Sequence, residues 1–510
     1  MLEARTLWEL VEARAAETPD AQMVVDEQGE SLTFGAFKDA AERAAAGLSA
    51  AGVGAGDVVS WQLPSWPSSM VLVAALSRLS AVQNPILPIY REREVGFIAR
   101  QAGTRVLIVP SSFRGFDYEA MARGIASSVS GLEVMISDRS LPQGDPATLS
   151  KVPVANGELP VRWLFYTSGT TADPKGAQHT DATIKAAAIG MCDRLALTSE
   201  DRHALVFPFT HIGGIIWLFS GLLVGVSQIL DEAFNPETTI PLLRREDVTL
   251  AGAGTFFHLA YLKAQRENPG APLFPKVRAY PGGGAPKPPQ LHYDIRKEIG
   301  GVGIVSGYGL TEAPILTMAS VDDPDEVLAN TEGRAMQGVQ LRVVTLDGKE
   351  AGAGEEGEIR AKAPQTMKGY LDASLDADAF DEEGWFRTGD LGRLDVDGNV
   401  TITGRLKDII IRKGENISAK EVEDLLFTHP KIADVAVIGL PDPASGERAC
   451  AVVAPKDGAD PLGFEEMKAF LKEKGLRAQA IPEQLETIDV LPRNPTGKVL
   501  KQDLKARYGA

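Results

Sequence analysis

The apolar run 161–166 has the length and composition of a buried strand. It delivers the chain directly into Thr167-Ser168-Gly169-Thr170-Thr171-Ala172-Asp173-Pro174-Lys175-Gly176. Hydroxyls and backbone N–H groups in a Gly-containing turn wrap anionic oxygens, and a terminal lysine adds a compact positive charge. The segment therefore predicts a polyphosphate cradle at the end of a strand. It is not the Walker loop, because Pro174 stands where that motif needs its second Gly and Gly176 follows the lysine. Other strand-like runs at 58–63, 106–110, 204–209 and 303–306 alternate with helical patterns at 68–79 and 182–195. Such alternation predicts parallel sheets with helices on their faces. From about residue 338 the texture changes to short strands with turn signals, which predicts an antiparallel β unit. Past residue 404, helical patterns at 420–427 and 465–474 flank strand-like runs at 435–439 and 449–454, which predicts a compact α+β unit.

The remaining composition narrows the function. A net charge of −17 over 510 residues, with no basic run to offset it, argues against a nucleic-acid partner. Anionic ligands then require locally positive sites. Two cysteines, Cys192 and Cys450, fit neither a disulfide framework nor a metal-ligand spacing, so a reducing, cytoplasmic setting is expected. The opening MLEARTLWELVEARAAE is acidic and amphipathic rather than a secretion signal, and Tyr508-Gly509-Ala510 is no peroxisomal address. The uncharged stretch 212–230 approaches the length of a membrane span. Its four glycines and flanking Asp231 and Glu232 predict instead a buried helix leading into a strand.

Further motifs follow in order. Gly282-Gly283-Gly284-Ala285-Pro286 and Ser306-Gly307-Tyr308-Gly309-Leu310-Thr311-Glu312 are Gly-rich turns after apolar strands. GWFRTGD ends at Asp390, GRLKDIIIRKGEN starts at Gly404, and Pro495-Thr496-Gly497-Lys498 lies near the end. In this order, over nearly the whole chain, they resemble the acyl-adenylate-forming superfamily of acyl-CoA synthetases, peptide-synthetase adenylation domains and beetle luciferases. The resemblance implies an α/β fold with a large N-terminal adenylation domain over 1–404, whose β-rich subdomain spans about 338–404. A hinge at 405–409 and a mobile α+β lid at 410–510 complete it.

The resemblance also implies roles. Thr167, Ser168, Gly169, Thr170, Thr171 and Lys175 would grip the β- and γ-phosphates of ATP. Thr311 would contact the α-phosphate, and Glu312 would help hold Mg²⁺, a cation that favours one or two carboxylates plus substrate phosphates. Tyr308 would stack on adenine beside Gly284, Ala285 and Pro286, with Ile402 capping the ring. Asp390 would accept the ribose hydroxyls, and Arg405 would add a ribose or phosphate contact. Lys498 would reach the α-phosphate and the substrate carboxylate. Lys407 matches the hinge, and Lys413, Gly414 and Glu415 would line a pantetheine channel for coenzyme A. One departure is Ala172, where the family usually has Gly, followed by Asp173, which places a negative charge beside the expected phosphate site.

For the acid, the resemblance implies a wall of Phe209, His211, Ile212, Gly213, Gly214 and Trp217, with Phe256, Phe257, Gly282 and Gly283 nearby. No acid stands in FPFTHIGG to pair a substrate ammonium, so an amino acid is disfavoured. The small residues predict room for a bulky apolar acid: medium-chain, alicyclic, aromatic or a steroid side chain. With no carrier domain following, free CoA is the expected acceptor. The alternatives are a stand-alone enzyme loading a carrier protein or amine, and a luciferase-like oxygenase. Lys175 and Lys498 together argue against nucleotide binding without turnover, and a homodimer is a family-level expectation only.

Overall fold

In the computed structural model, which describes residues 1–152, 157–167, 174–285, 287–412, 415–443 and 445–509, the N-terminal part is organised on three sheets. The first has six strands in the order Lys175–His179, Trp163–Thr167, Val82–Pro85, Val58–Trp61, Val106–Val109, Glu133–Ile136. All its pairings are parallel except the hairpin of Trp163–Thr167 with Lys175–His179, whose register sets Lys175 opposite Thr167. The second sheet carries Arg202–Leu205, Ser227–Leu230, Gln22–Asp26 and Ser31–Thr33. The third places Tyr280–Gly283 parallel to Ile304–Tyr308, followed by two short antiparallel strands. Helices Leu7–Glu17, Phe34–Ala50, Pro67–Arg78 and Ile212–Val224 contribute to one large core with the buried rings of Trp8, Phe34, Phe37, Trp61 and Trp163.

The α/β expectation holds, and its deviations have local causes. The strand expected over 204–209 is Arg202–Leu205, and Pro208, which has no N–H to give a ladder, lies beyond its end. The uncharged stretch is the helix Ile212–Val224, stopped by Gly225 at φ +102°, then the strand Ser227–Leu230. Among the described residues no helix is long and apolar enough to cross a membrane.

Four wholly antiparallel strands, Gln340–Val344, Gly357–Lys362, Phe386–Leu394 and Val400–Arg405, form the next sheet. After the turn Leu406–Asp408 comes a five-stranded sheet dominated by the long hairpin Ile432–Asp442 with Gly446–Pro455. Helices Ala419–Phe427 and Phe464–Glu473 cover one core of this unit, while Lys501–Tyr508 closes another. Both cysteines are buried, and burial pushes each thiol up to about 12, so neither is a nucleophile near neutral pH.

Candidate active site

Three strand ends converge on one cleft. Tyr308 closes the strand Ile304–Tyr308, and its neighbour Gly283 sits so close that a Cβ there would lie 2.8 Å from the Gly307 carbonyl oxygen. Gly309 is tighter still, since a Cβ would fall 2.2 Å from the Ile315 nitrogen. These glycines let the chain turn sharply after the strand and present Thr311 and Glu312 to the hairpin. His179 fixes Thr311 from the hairpin side, donating from Nε2 to the Thr311 carbonyl oxygen at 2.8 Å. Burial pulls this imidazole down to about 4, so it is neutral, and the carbonyl acceptor dictates that Nε2 carries the proton.

Glu312 is held twice. Its carbonyl accepts the Met367 N–H at 2.7 Å, and its Oε1 accepts the Tyr370 hydroxyl at 2.9 Å. The ammonium of Lys175 lies 5.4 Å from the centroid of the same Tyr370 ring, a cation–π contact. Opposite them, Asp390 pairs in register with Arg405 across the antiparallel sheet. Its buried carboxylate accepts Tyr308 Oη–H on Oδ2 at 2.9 Å and forms an ion pair with Arg405, Nε to Oδ1 at 2.8 Å. A carboxylate offers about four lone-pair sites, so further acceptor capacity remains on both oxygens. Ile402, on the strand that carries Arg405, packs against the apolar cluster that contains Tyr308.

Lys498 arrives from the C-terminal unit. Asn494 shapes its loop, accepting from Thr496 N–H at 3.1 Å and from Lys498 N–H at 3.0 Å on Oδ1. Gly497 adopts φ +83°, and a Cβ there would stand 2.9 Å from Phe256 Cβ, so the loop lies directly on the helix Thr255–Glu267. Arg493 covers the Phe256 ring at 5.8 Å, and Lys263 joins Asp457 across the same junction at 2.7 Å. Lys498 is half-buried at this junction, and desolvation, with Arg405 and Lys407 nearby, lowers its ammonium to about 8, partly countered by Asp390 and Asp408. Lys498, Arg405 and Lys407 thus make this a locally positive spot in an acidic chain.

The acyl wall is tighter than its sequence suggested. His211 caps the helix Ile212–Val224, accepting the Gly213 N–H on Nδ1 at 3.1 Å, with the Phe207 ring against it edge-on at 6.1 Å. Burial lowers this imidazole to about 4, so it too is neutral. Trp217 stacks on His203 with centroids 3.4 Å apart, and Phe209 is fully buried beside Trp61. The glycines do not leave the open room expected of them. A Cβ on Gly214 would meet the Phe209 carbonyl oxygen at 2.5 Å, and one on Gly282 would meet Ile304 at 3.2 Å and His258 at 3.3 Å. At these two positions the glycines allow close packing of the protein against itself. Phe256 is partly exposed under Arg493, while Phe257 is buried.

Of the other expected residues, Thr167 and Lys175 face each other at the mouth of the hairpin, Gly284 (φ +75°) and Ala285 follow the strand Tyr280–Gly283, and Lys407 and Glu415 are exposed. Ser168, Gly169, Thr170, Thr171, Pro286, Lys413 and Gly414 lie outside the described residues. Tyr370, His179 and Asn494 were not expected. Only the Lys368-Gly369-Tyr370 triplet, with Gly369 at φ +116°, carries any local signal for them.

A buried, arginine-paired aspartate, a glutamate beside a phosphate-type hairpin and a lysine carried in by a second unit define an AMP-forming ligase. The chain belongs to the AMP-binding enzyme family, which it matches over residues 11–371, with the AMP-binding enzyme C-terminal domain matched over 421–498. It is 32% identical over 495 residues to the medium-chain fatty-acid–CoA ligase of Escherichia coli, covering 95% of this chain and 87% of that one. It is also 32% identical over 533 residues to the salicyl-AMP ligase / salicyl-S-ArCP synthetase of Mycobacterium tuberculosis, covering 99% and 91%. Among solved structures, ATP-bound MatB from Rhodopseudomonas palustris superposes with a TM-score of 0.88 at 26% identity, covering 98% of this chain and 99% of that one.

Proposed function

We propose that the protein is an acyl-CoA synthetase that activates an apolar carboxylic acid with ATP and passes the acyl group to coenzyme A. The observation that carries this reading is the seating of Lys498 near Asp390 and Arg405, with Gly497 packed on Phe256. One carboxylate oxygen of the acid attacks the α-phosphorus, the bond to pyrophosphate breaks, and an acyl-AMP anhydride forms. Negative charge that spreads over the oxygens in this step is met by Lys498, Arg405 and Lys175. Asp390 would hold the ribose hydroxyls, Tyr308 and Ile402 the adenine, and Thr311 the α-phosphate.

Among the described residues no group of three His, Cys, Asp or Glu side chains is assembled to hold a metal. Glu312 is the carboxylate that would hold Mg²⁺, a cation bound by one or two carboxylates together with substrate phosphates. When bound, the cation neutralises phosphate charge. In the second half-reaction the CoA thiol attacks the acyl carbon, loses its proton, and AMP leaves. Lys407, at the turn Leu406–Asp408, would be the hinge about which the C-terminal unit turns so that the thiol can reach the acyl carbon.

Likeness to a medium-chain fatty-acid–CoA ligase supports an apolar acid and CoA, whereas likeness to a salicyl-AMP ligase that is also a salicyl-S-ArCP synthetase supports a second reading, a carrier acceptor. The test is a panel of short, medium-chain and aromatic acids with ATP and Mg²⁺, each with and without CoA, products identified by mass. The expected result is AMP together with an acyl-CoA for one class of acid. AMP formation that never yields an acyl-CoA would overturn the acceptor and leave adenylation standing.

A further inference from the structure

Tyr370 lies outside every motif that suggested the function, yet it touches two of the proposed working parts. Its hydroxyl donates to Glu312 Oε1 at 2.9 Å, and its ring lies under the Lys175 ammonium. The side chain is buried, with 6% of its surface exposed, so the phenol has little freedom to choose another partner.

Its backbone is fastened as firmly. Tyr370 N–H donates to Asp376 Oδ1 at 2.8 Å, and the Tyr370 carbonyl accepts from Gln178 Nε2 at 3.0 Å. On either side, Gln178 N–H donates to the Gly369 carbonyl at 3.0 Å and Leu371 N–H to the Gly176 carbonyl at 2.8 Å. The segment is therefore stapled along the strand Lys175–His179. These contacts, all within the protein, fix the phenol.

Resting on the function proposed above, we infer that Tyr370 is a positioning residue for Glu312. Holding Oε1 by a phenol hydrogen bond restricts rotation of the carboxylate, so the plane it would present to the cation is set by the protein. Partners of this kind orient a metal-binding carboxylate, and losing one typically costs 10- to 100-fold in metal affinity.

The variant is Tyr370→Phe, which keeps the ring under Lys175 and removes only the hydroxyl. The readout is the thermal stabilisation produced by ATP, measured across a Mg²⁺ titration and again with the metal chelated, so that no turnover is needed. Tyr370→Phe is expected to raise the half-saturating Mg²⁺ by about tenfold or more, while stabilisation by metal-free ATP matches the parent. In a Glu312→Gln background the same change should no longer move the Mg²⁺ midpoint, because the group through which Tyr370 acts is gone. An unaltered Mg²⁺ midpoint, an equal loss with and without the metal, or a full effect persisting in Glu312→Gln would each overturn the assignment. A parent protein that shows no Mg²⁺-dependent stabilisation by ATP would instead overturn the functional reading itself.

Discussion

Lys498→Ala is expected to lower kcat for acid-dependent pyrophosphate release by ~10²-fold or more while changing ATP binding only modestly. In the proposed mechanism the ammonium would oppose charge that grows as the carboxylate attacks the α-phosphorus, so its loss would be felt mainly in the transition state. The Asn494-shaped loop and Gly497 against Phe256 bring it there without help from the substrate. The same lysine sets a pH limit. Its folded-state value lies near 8, below the ordinary 10.5, so the working charge is present below that pH and is lost above it. The kcat/KM for adenylation should fall about tenfold per pH unit above about 8. Lys498→Arg, charged at every accessible pH, should remove that break. A Lys498→Ala enzyme with unchanged kcat, or a parent profile flat to well above the break, would exclude the ammonium from the step.

Lys407→Pro should preserve acid-dependent exchange of pyrophosphate into ATP and abolish thioester formation. The structure seats the C-terminal unit through Phe256 with Gly497, Lys263 with Asp457, and Ser418, whose hydroxyl donates to the Thr403 carbonyl at 2.6 Å. None of these contacts involves Lys407, which is exposed in its short turn. A proline there fixes φ and restricts the preceding residue, so it opposes the backbone change that rotation needs rather than the docked arrangement. Exchange and thioester formation are separable by assay. Loss of both to the same degree would show that position 407 serves the docked state and is not the hinge.

The residues that proved legible in the sequence are those whose chemistry is written locally. Gly-rich turns after the apolar strands Tyr280–Gly283 and Ile304–Tyr308, and the loop ending in Lys498, carry their geometry in their composition, while the Ser/Thr/Gly turn 168–173 lies outside the described residues. Asp390 and Arg405 were legible as separate motifs, and the antiparallel register is what makes them partners. What stayed hidden depends on tertiary contact. His179 ends the strand Lys175–His179, whose Lys-Gly-Ala-Gln-His sequence gives it no distinctive signal, and only folding sets its Nε2 on the Thr311 carbonyl. Tyr370 and Glu312 are 58 residues apart, and no periodicity links them. The glycines of the acyl wall misled because a missing side chain looks the same in sequence whether a ligand or the protein fills the space. At Gly214 it is the Phe209 backbone that fills it.

The measurement that bears most directly on the central claim is the fate of oxygen in the substrate carboxylate. An acid labelled with oxygen-18 in both carboxylate oxygens is incubated with the enzyme, ATP, Mg²⁺ and CoA, and the nucleotide and phosphate products are analysed by mass. Attack of the carboxylate on the α-phosphorus predicts one labelled oxygen in AMP and none in pyrophosphate. Label appearing in orthophosphate alongside ADP, or AMP released without label, would contradict an acyl-adenylate intermediate.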